Sequence, residues 1–368
     1  MYIRSDLNAE LPHKKPDIGS YEWWYFDALS ADKKWSFVII FYDGNPFSPA
    51  YIQAQKSPSF EGHGTAHNFP AISVSIYNHE RAEYYSFLEY AADRLAVQTE
   101  DFSISLGSNI FERRILDDKV EYEIILNQML DSGFQLRGRL KFVQDTTDHS
   151  PAANFAAKIS HEIPESFKHS WNLILPRAGV MGNLNIDGRS DMYTLAFNGL
   201  GYHDHNIGSE PLKESFDDWY WGRVHFTDYT LVYYLMNTHE GVQKNAWLLP
   251  LEKGMQDFTI DHIELSDYSE NRFGLNAAKT LKCTGEGLEL IVRSDKVIDD
   301  GPFYQRYYSE ASFVTGSTRR IQRGISEYIK PDRIANSKYW WMVHMRLRYL
   351  SKKAHWVQKS RFLYPKTW

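Results

Sequence analysis

A chain of 368 residues, 43% hydrophobic and 24% charged, has an ordinary globular composition and exceeds the size at which one core usually stops growing, so two domains are expected. A formal net charge of -6 gives no reason to expect nucleic acid as a partner, and a single cysteine, Cys283, excludes an internal disulfide framework and fits a reducing compartment. Aromatic residues reach 15%, with 11 Trp and 24 Tyr, which favours strands and large apolar pockets over helical bundles.

The N-terminal stretch MYIRSDLNAELPHKKPD lacks the apolar run of a secretion signal, and no later stretch approaches about 18 uninterrupted apolar residues. A soluble, cytoplasmic protein is expected. From Glu22 to Tyr42 the chain passes through clustered Trp and Tyr, across a polar turn, into an apolar strand. Within it, EWWY either lines a pocket through Trp23 and Trp24 or plugs the end of a barrel. Turn-forming clusters at 42–46, 116–118 and 131–133 separate short alternating runs. Ile72, Val74 and Ile76 alternate with serines. Val120, Tyr122, Ile124 and Leu126 alternate with Glu121 and Glu123, and Leu136, Leu140 and Phe142 oppose Arg137, Arg139 and Lys141. Each such run is a strand with one wet face.

In FKHSWNL, residues 167–173, Phe167, His169, Trp171 and Leu173 share a face, so His169 points inward among apolar neighbours, either as a satisfied core residue or as part of a site. A polar stretch at 186–190 divides the chain into halves of comparable size, and domains at 1–190 and 191–368 are expected. GYHDHNIG follows at 201–208. If extended, it sets Tyr202 and Asp204 on one face and His203 and His205 on the other. The histidine face suits a metal only if further ligands come from elsewhere; the other face offers a carboxyl beside a phenol. Residues 217–236 repeat the aromatic-turn-strand pattern of 22–42, and FTIDHIEL at 258–265 continues the alternation. From Lys330 to Trp368 ten Lys or Arg face one acidic residue, Asp332, and are interleaved with Trp340, Trp341, Trp356, Phe362 and Trp368. That segment is either the charged outer face of final strands or a surface for peripheral contact with an anionic membrane. Many short antiparallel strands make the chain all-β, a sandwich or barrel. The fingerprints of dinucleotide, P-loop, nucleophile-elbow and zinc-protease sites are absent, and no metal or cofactor is expected.

YEWWYFDA at 21–28, HSWNLILPRA at 169–178, GYHDHNIG, WYWGRVHF at 219–226, PFYQRYYSE at 302–310 and GISEYI at 324–329 together resemble the carotenoid 1,2-hydratase (hydroxyneurosporene synthase) family. They are also similar to its wider lipocalin-like superfamily, which includes AttH-like proteins and fungal decalin-forming Diels-Alderases. The resemblance implies two consecutive lipocalin-like antiparallel β-barrel domains enclosing a hydrophobic pocket. By motif it places the active residues at His169, Trp171, Tyr202 and Asp204, the same-face pairs that alternation selects. His203 stands where the hydratases usually carry Trp, and Ile207 where Trp is frequent in the superfamily, which loosens the transfer of carotenoid as substrate.

These residue types suit hydration of an alkene without a cofactor. Proton transfer to carbon needs an acid held protonated near neutral pH, and burial raises a carboxyl's pKa in that direction. Asp204 is the expected acid, Trp171 and Tyr202 stabilise the carbocation, and His169 orients Asp204 or the attacking water. Trp23, Trp24, Trp221, Arg223 and Tyr304 are expected to bind a hydrophobic polyene or isoprenoid, with Arg223 alternatively an arginine bridging the domains. A pericyclase that folds a polyene, and a noncatalytic lipid or pigment carrier, are the competing expectations.

Overall fold

Two curled antiparallel sheets make up this computed structural model, which describes all residues except 57–63, 80, 131–133, 148–149, 160–166, 189–191, 361, 365–366 and 368. The first sheet opens with β1 (Tyr2–Arg4), β2 (Tyr21–Ser30), β3 (Trp35–Asp43), β4 (Ala71–Asn78) and β5 (Arg81–Glu89). It continues through β6 (Leu95–Gln98), β7 (Ser103–Leu106), β8 (Asn109–Ile115), β9 (Lys119–Met129) and β10 (Gln135–Asp145). Two long strands complete it, β11 (His169–Asp187) and β12 (Met192–Gly208). The second sheet holds β13 (Asp218–His225), β14 (Tyr229–Thr238), β15 (Gly241–Pro250) and β16 (His262–Glu270). Its other strands are β17 (Asn276–Gly285), β18 (Leu288–Asp300), β19 (Tyr304–Thr315) and β20 (Thr318–Ile329), and a short β21 (Arg348–Tyr349) returns to the first sheet.

Across the first sheet the order is β21-β5-β4-β3-β2-β12-β11-β10-β9-β8-β7-β6, with β1 beside β11; across the second it is β15-β14-β13-β20-β19-β18-β17-β16. Each sheet curls into a half-barrel, as the expected pair of lipocalin-like domains requires. The division expected at residue 190 lies outside the described residues. Met192–Gly208 beyond it pairs with β11 and β2, so the chain leaves the first sheet between Gly208 and Asp218. The turn expected at 131–133 also lies outside the described residues. FTIDHIEL is only partly a strand, because β16 begins at His262 and Phe258 packs in the second core before it.

The alternation of β9 and β10 fills the interior of the first half-barrel with Tyr122, Ile124, Leu126, Leu136, Leu140 and Phe142. A separate cluster around Leu231, Leu248, Leu290 and Phe313 fills the second. β2 has no wet face. Its even residues Trp24, Phe26 and Ala28 enter the first interior, whereas Tyr21, Trp23, Tyr25 and Leu29 join a cluster shared by both sheets. That shared cluster lies where the two half-barrels meet, and it surrounds the functional site.

The basic C-terminal segment is not the outer face of strands. It forms a helix at Trp340–Arg346, then β21, then a single turn at Trp356–Lys359. Arg346 is buried and reaches Asp299 on β18 at 3.2 and 3.3 Å, which pins the helix to the second sheet while β21 pairs with β5 of the first. Trp341, Trp356 and Phe362 remain exposed; Trp368 lies outside the described residues.

Candidate active site between the two sheets

Three neighbouring strands of the first sheet set the site in rows. Across β11, β12 and β2 the register gives His169–Gly208–Tyr21, then Trp171–Asn206–Trp23, then Leu173–Asp204–Tyr25. Cross-strand neighbours project to the same side, so these rows form one continuous surface. On the second sheet β14, β13, β20 and β19 contribute the facing row Tyr234–Trp221–Glu327–Arg306. A cavity with an empty volume of about 920 Å³, part of it open to solvent, lies between them. Its wall includes Trp23, Tyr25, Trp171, Asp204, Trp219 and Trp221, with Phe303, Tyr304 and Val343 toward the C-terminal helix. Its lining has the aromatic character of a small-molecule pocket.

Asp204 is buried at the wall and receives three neutral donors. The Trp171 indole N–H and the Tyr202 hydroxyl donate to Oδ2 at 2.8 and 2.7 Å, and the Asn206 amide donates to Oδ1 at 2.9 Å. The Trp221 N–H donates in turn to the Tyr202 oxygen at 3.2 Å. Burial pushes the Asp204 carboxyl up to about 7; the donors Trp171 and Tyr202 pull against that rise, and the charges of Glu327 and Asp27 add to it. No cation touches Asp204 among the described residues. It is a carboxyl poised to hold and release a proton near neutral pH, set among aromatic faces.

His169 is buried on the same face but does not reach Asp204. Its Nδ1 pairs with the Tyr21 hydroxyl at 2.8 Å, and burial, reinforced by the nearby amino terminus, pushes its pKa down to about 3, with the Asn206 side chain opposing the shift. It is therefore a neutral imidazole one residue removed from the carboxyl. Gly208 makes room for this contact, since a Cβ there would lie 2.2 Å from the Tyr21 ring.

The other expected binding residues divide by parity. Trp23, Trp221 and Tyr304 line the cavity. Trp24 does not: as an even residue of β2 it faces the first interior and stacks on His205 with ring centroids 5.2 Å apart. Arg223 does not either. It is buried and joins the sheets by bonding Asp27 on β2, through Nε at 2.8 Å and through Nη2, so the bridging role is the one it fills. The histidines of GYHDHNIG point away from the cavity to two different carboxylates, His203 to Glu10 at 2.7 Å and His205 to Glu22 at 2.8 Å. His13, Glu22 and His205 bring ligand-type atoms within 4.8 Å of one another, but the Lys15 ammonium already bonds Glu22 and neutralises it.

Sequence reasoning did not single out Asn206, Tyr25, Glu327 or Arg306. Asn206 was open to the parity argument, being two residues beyond Asp204. Glu327 and Arg306 sit inside GISEYI and PFYQRYYSE, yet their approach to Asp204 depends on how the sheets face each other.

Comparison with known proteins identifies the family and the fold. Residues 38–357 match the model of the carotenoid hydratase CrtC family. The chain is 31% identical over 344 residues to a hydroxyneurosporene dehydrogenase of Chlorobaculum tepidum, covering 90% of this chain and 88% of that one. It is 27% identical to an acyclic carotenoid 1,2-hydratase of Thiocapsa roseopersicina, covering 61% of this chain and 49% of the relative. Among solved structures, CghA superposes with a TM-score of 0.54 at 11% identity, covering 89% of this chain and 96% of CghA. An AttH-like protein of Nitrosomonas europaea gives 0.51 at 13% identity, covering 89% of this chain and 97% of that one, and both likenesses concern the fold. With most of its length matched by the family model and by a relative of nearly equal extent, this chain belongs to the carotenoid hydratase CrtC family of enzymes.

Proposed function

We propose that this enzyme adds water to a trisubstituted carbon–carbon double bond of an acyclic, carotenoid-like polyene, with Asp204 as the general acid. The observation that carries the reading is a buried carboxyl with its pKa pushed up to about 7, at the wall of an aromatic cavity, held by neutral donors and, among the described residues, by no cation. The protonated Asp204 gives its proton to the less substituted alkene carbon, and the tertiary carbocation forms within reach of the Trp171, Trp221 and Trp23 rings. A cation over a desolvated aromatic face gains about 1–2 kcal/mol per ring. Water then attacks the cation and gives a tertiary alcohol. Tyr202 and Asn206 fix the orientation of the carboxyl, and His169 acts behind them through Asn206. The chemistry uses no cofactor.

The test uses Asp204→Asn with an acyclic carotenoid in heavy-oxygen water. The wild type is expected to place solvent oxygen in the product, and the variant to lose about 100-fold to 10,000-fold in rate, the usual range for a general acid. An active variant, or a product without solvent oxygen, removes the hydration reading. A rearrangement initiated by the same acid is favoured by the 23% identity to the quinolone epoxide rearrangement protein asqO of Emericella nidulans; a rearranged product free of solvent oxygen distinguishes it.

We also propose that the C-terminal segment touches anionic membrane surfaces, as befits delivery of an apolar substrate. Trp341 is 61% exposed, Trp356 66% and Phe362 69%, in a segment rich in Lys and Arg, and Val343 of the same segment lines the cavity. Co-sedimentation with phosphatidylglycerol vesicles, lost in a Trp341→Ser, Trp356→Ser double variant, is the expected result.

A further inference from the structure

A second carboxylate belongs to the same cavity. Glu327 lies on β20 directly across from Trp221 on one side and Arg306 on the other, and it lines the cavity opposite the Asp204 row. Its Oε1 accepts from Arg306 Nε at 2.7 Å and from the Tyr25 hydroxyl at 3.0 Å. Its Oε2 accepts no hydrogen bond among the described residues, while the side chain keeps 8% exposure. Tyr25 connects the two carboxyl groups physically: its backbone pairs with Asp204 and its hydroxyl ends on Glu327. A second connection runs from Asp204 through Tyr202 to Trp221, the cross-strand neighbour of Glu327.

The two groups have opposite partners. Asp204 has three neutral donors, whereas Glu327 is paired with a buried guanidinium that also bonds Tyr77 and packs against the Tyr304 ring at 5.1 Å. A carboxylate with a fixed counter-ion and one unengaged oxygen is suited to accept a proton, not to donate one.

We propose that Glu327 is the catalytic base that takes the proton from the attacking water, with Arg306 and Tyr25 as its positioning residues. The inference rests on the hydration reading above. Asp204 donates its proton to the alkene, so a C–H bond forms and the π pair leaves a cation on the tertiary carbon. A water held by Glu327 Oε2 forms the C–O bond, and one of its protons passes to that oxygen as the alcohol is completed. Asp204 is left as carboxylate and Glu327 as acid; the proton returns to Asp204 through solvent when product leaves. The sum is alkene plus water to alcohol.

Deuterium separates the two carboxyl groups. Neurosporene in detergent micelles is incubated in heavy water with wild type, Asp204→Asn, Glu327→Gln, and the double variant Arg306→Met/Glu327→Gln, which leaves no unpaired buried charge. With Asp204 intact but no base for water, the cation reverts by losing a proton. Glu327→Gln, or the double variant where the single one does not fold, is expected to lose about 100-fold in hydration while still washing deuterium into recovered neurosporene. Hydration within threefold of wild type in a folded variant overturns the role of Glu327, and so does loss of both hydration and exchange. Asp204→Asn is expected to abolish both; full activity there removes the hydration reading itself, a result distinct from failure of the Glu327 proposal.

Discussion

Buried carboxyl groups lie on both sides of β12 and end with opposite shifts: Asp204 belongs to the strand, whereas Glu10, from the N-terminal segment, and Glu22, from β2, meet His203 and His205 on its other face. On the cavity face Asp204 meets only indole, phenol and amide donors, and its pKa rises to about 7. On the interior face Glu10 meets His203, Arg113 and Tyr122, and Glu22 meets His13, His205 and Lys15, and both are lowered below the ordinary carboxylate range. Burial by itself raises all three. What differs is the charge of the partner: cations outweigh the loss of water, and neutral donors do not. One strand thus presents a group suited to proton transfer on one side and joins a structural ion network on the other, a step of one residue being enough to change sides.

Breaking the interior network should have the largest effect. Glu10→Gln leaves Arg113 without its counter-ion, and a buried pair broken on one side costs about 3–5 kcal/mol. Because Glu10 is lowered in the folded state, its contribution is present above the ordinary carboxylate pKa of 4.5 and lost as pH falls. Denaturant titrations should therefore show a gap between wild type and Glu10→Gln that is full at pH 7 and closes toward pH 3; an equal gap at both pH values contradicts the assignment. Activity per folded molecule should be unchanged.

The same measurement on the cavity face should reverse sign. Asp204 is raised, so the folded state carries the cost of ionising it above about pH 7 and none below about 3.8. Asp204→Asn is expected to be more stable than wild type by roughly 2–4 kcal/mol at pH 8 and equal to it at pH 4, even as activity is lost. A variant less stable at pH 8 contradicts a buried, cation-free carboxyl. In wild type, rate should fall about tenfold per pH unit above about 7 as Asp204 loses its proton.

Trp171→Phe is the finest probe. Losing one donor that pulls the Asp204 pKa down should move that alkaline limb upward by about half a unit to one unit, in keeping with about 1 kcal/mol for the hydrogen bond. A plateau rate that drops with the limb unmoved points to the indole acting on substrate alone.

Much of this was legible in the residues. Alternation located β4, β9 and β10, and parity alone put Tyr202 and Asp204 opposite His203 and His205, because successive strand residues point to opposite faces whatever the fold. Parity also separates Trp23 from Trp24, although the paired tryptophans were expected to act together; β2 is buried on both faces, so composition cannot tell cavity from interior. The C-terminal segment misled as a strand face since its basic residues include Arg346, which is internal only because Asp299 waits on β18.

The sequence by itself determined the β class, the strand faces and the same-face pairs His169/Trp171 and Tyr202/Asp204, all of which follow from local period, while the meeting of Trp171 with Asp204 was implied only by the family resemblance. The tertiary structure alone decided which face is a cavity, that Arg223 bridges the sheets to Asp27 instead of meeting substrate, and that Tyr25 reaches Glu327 302 positions away. Those depend on how two independently curled sheets are opposed, and a carboxyl's proton affinity depends on every charge that this opposition brings near it.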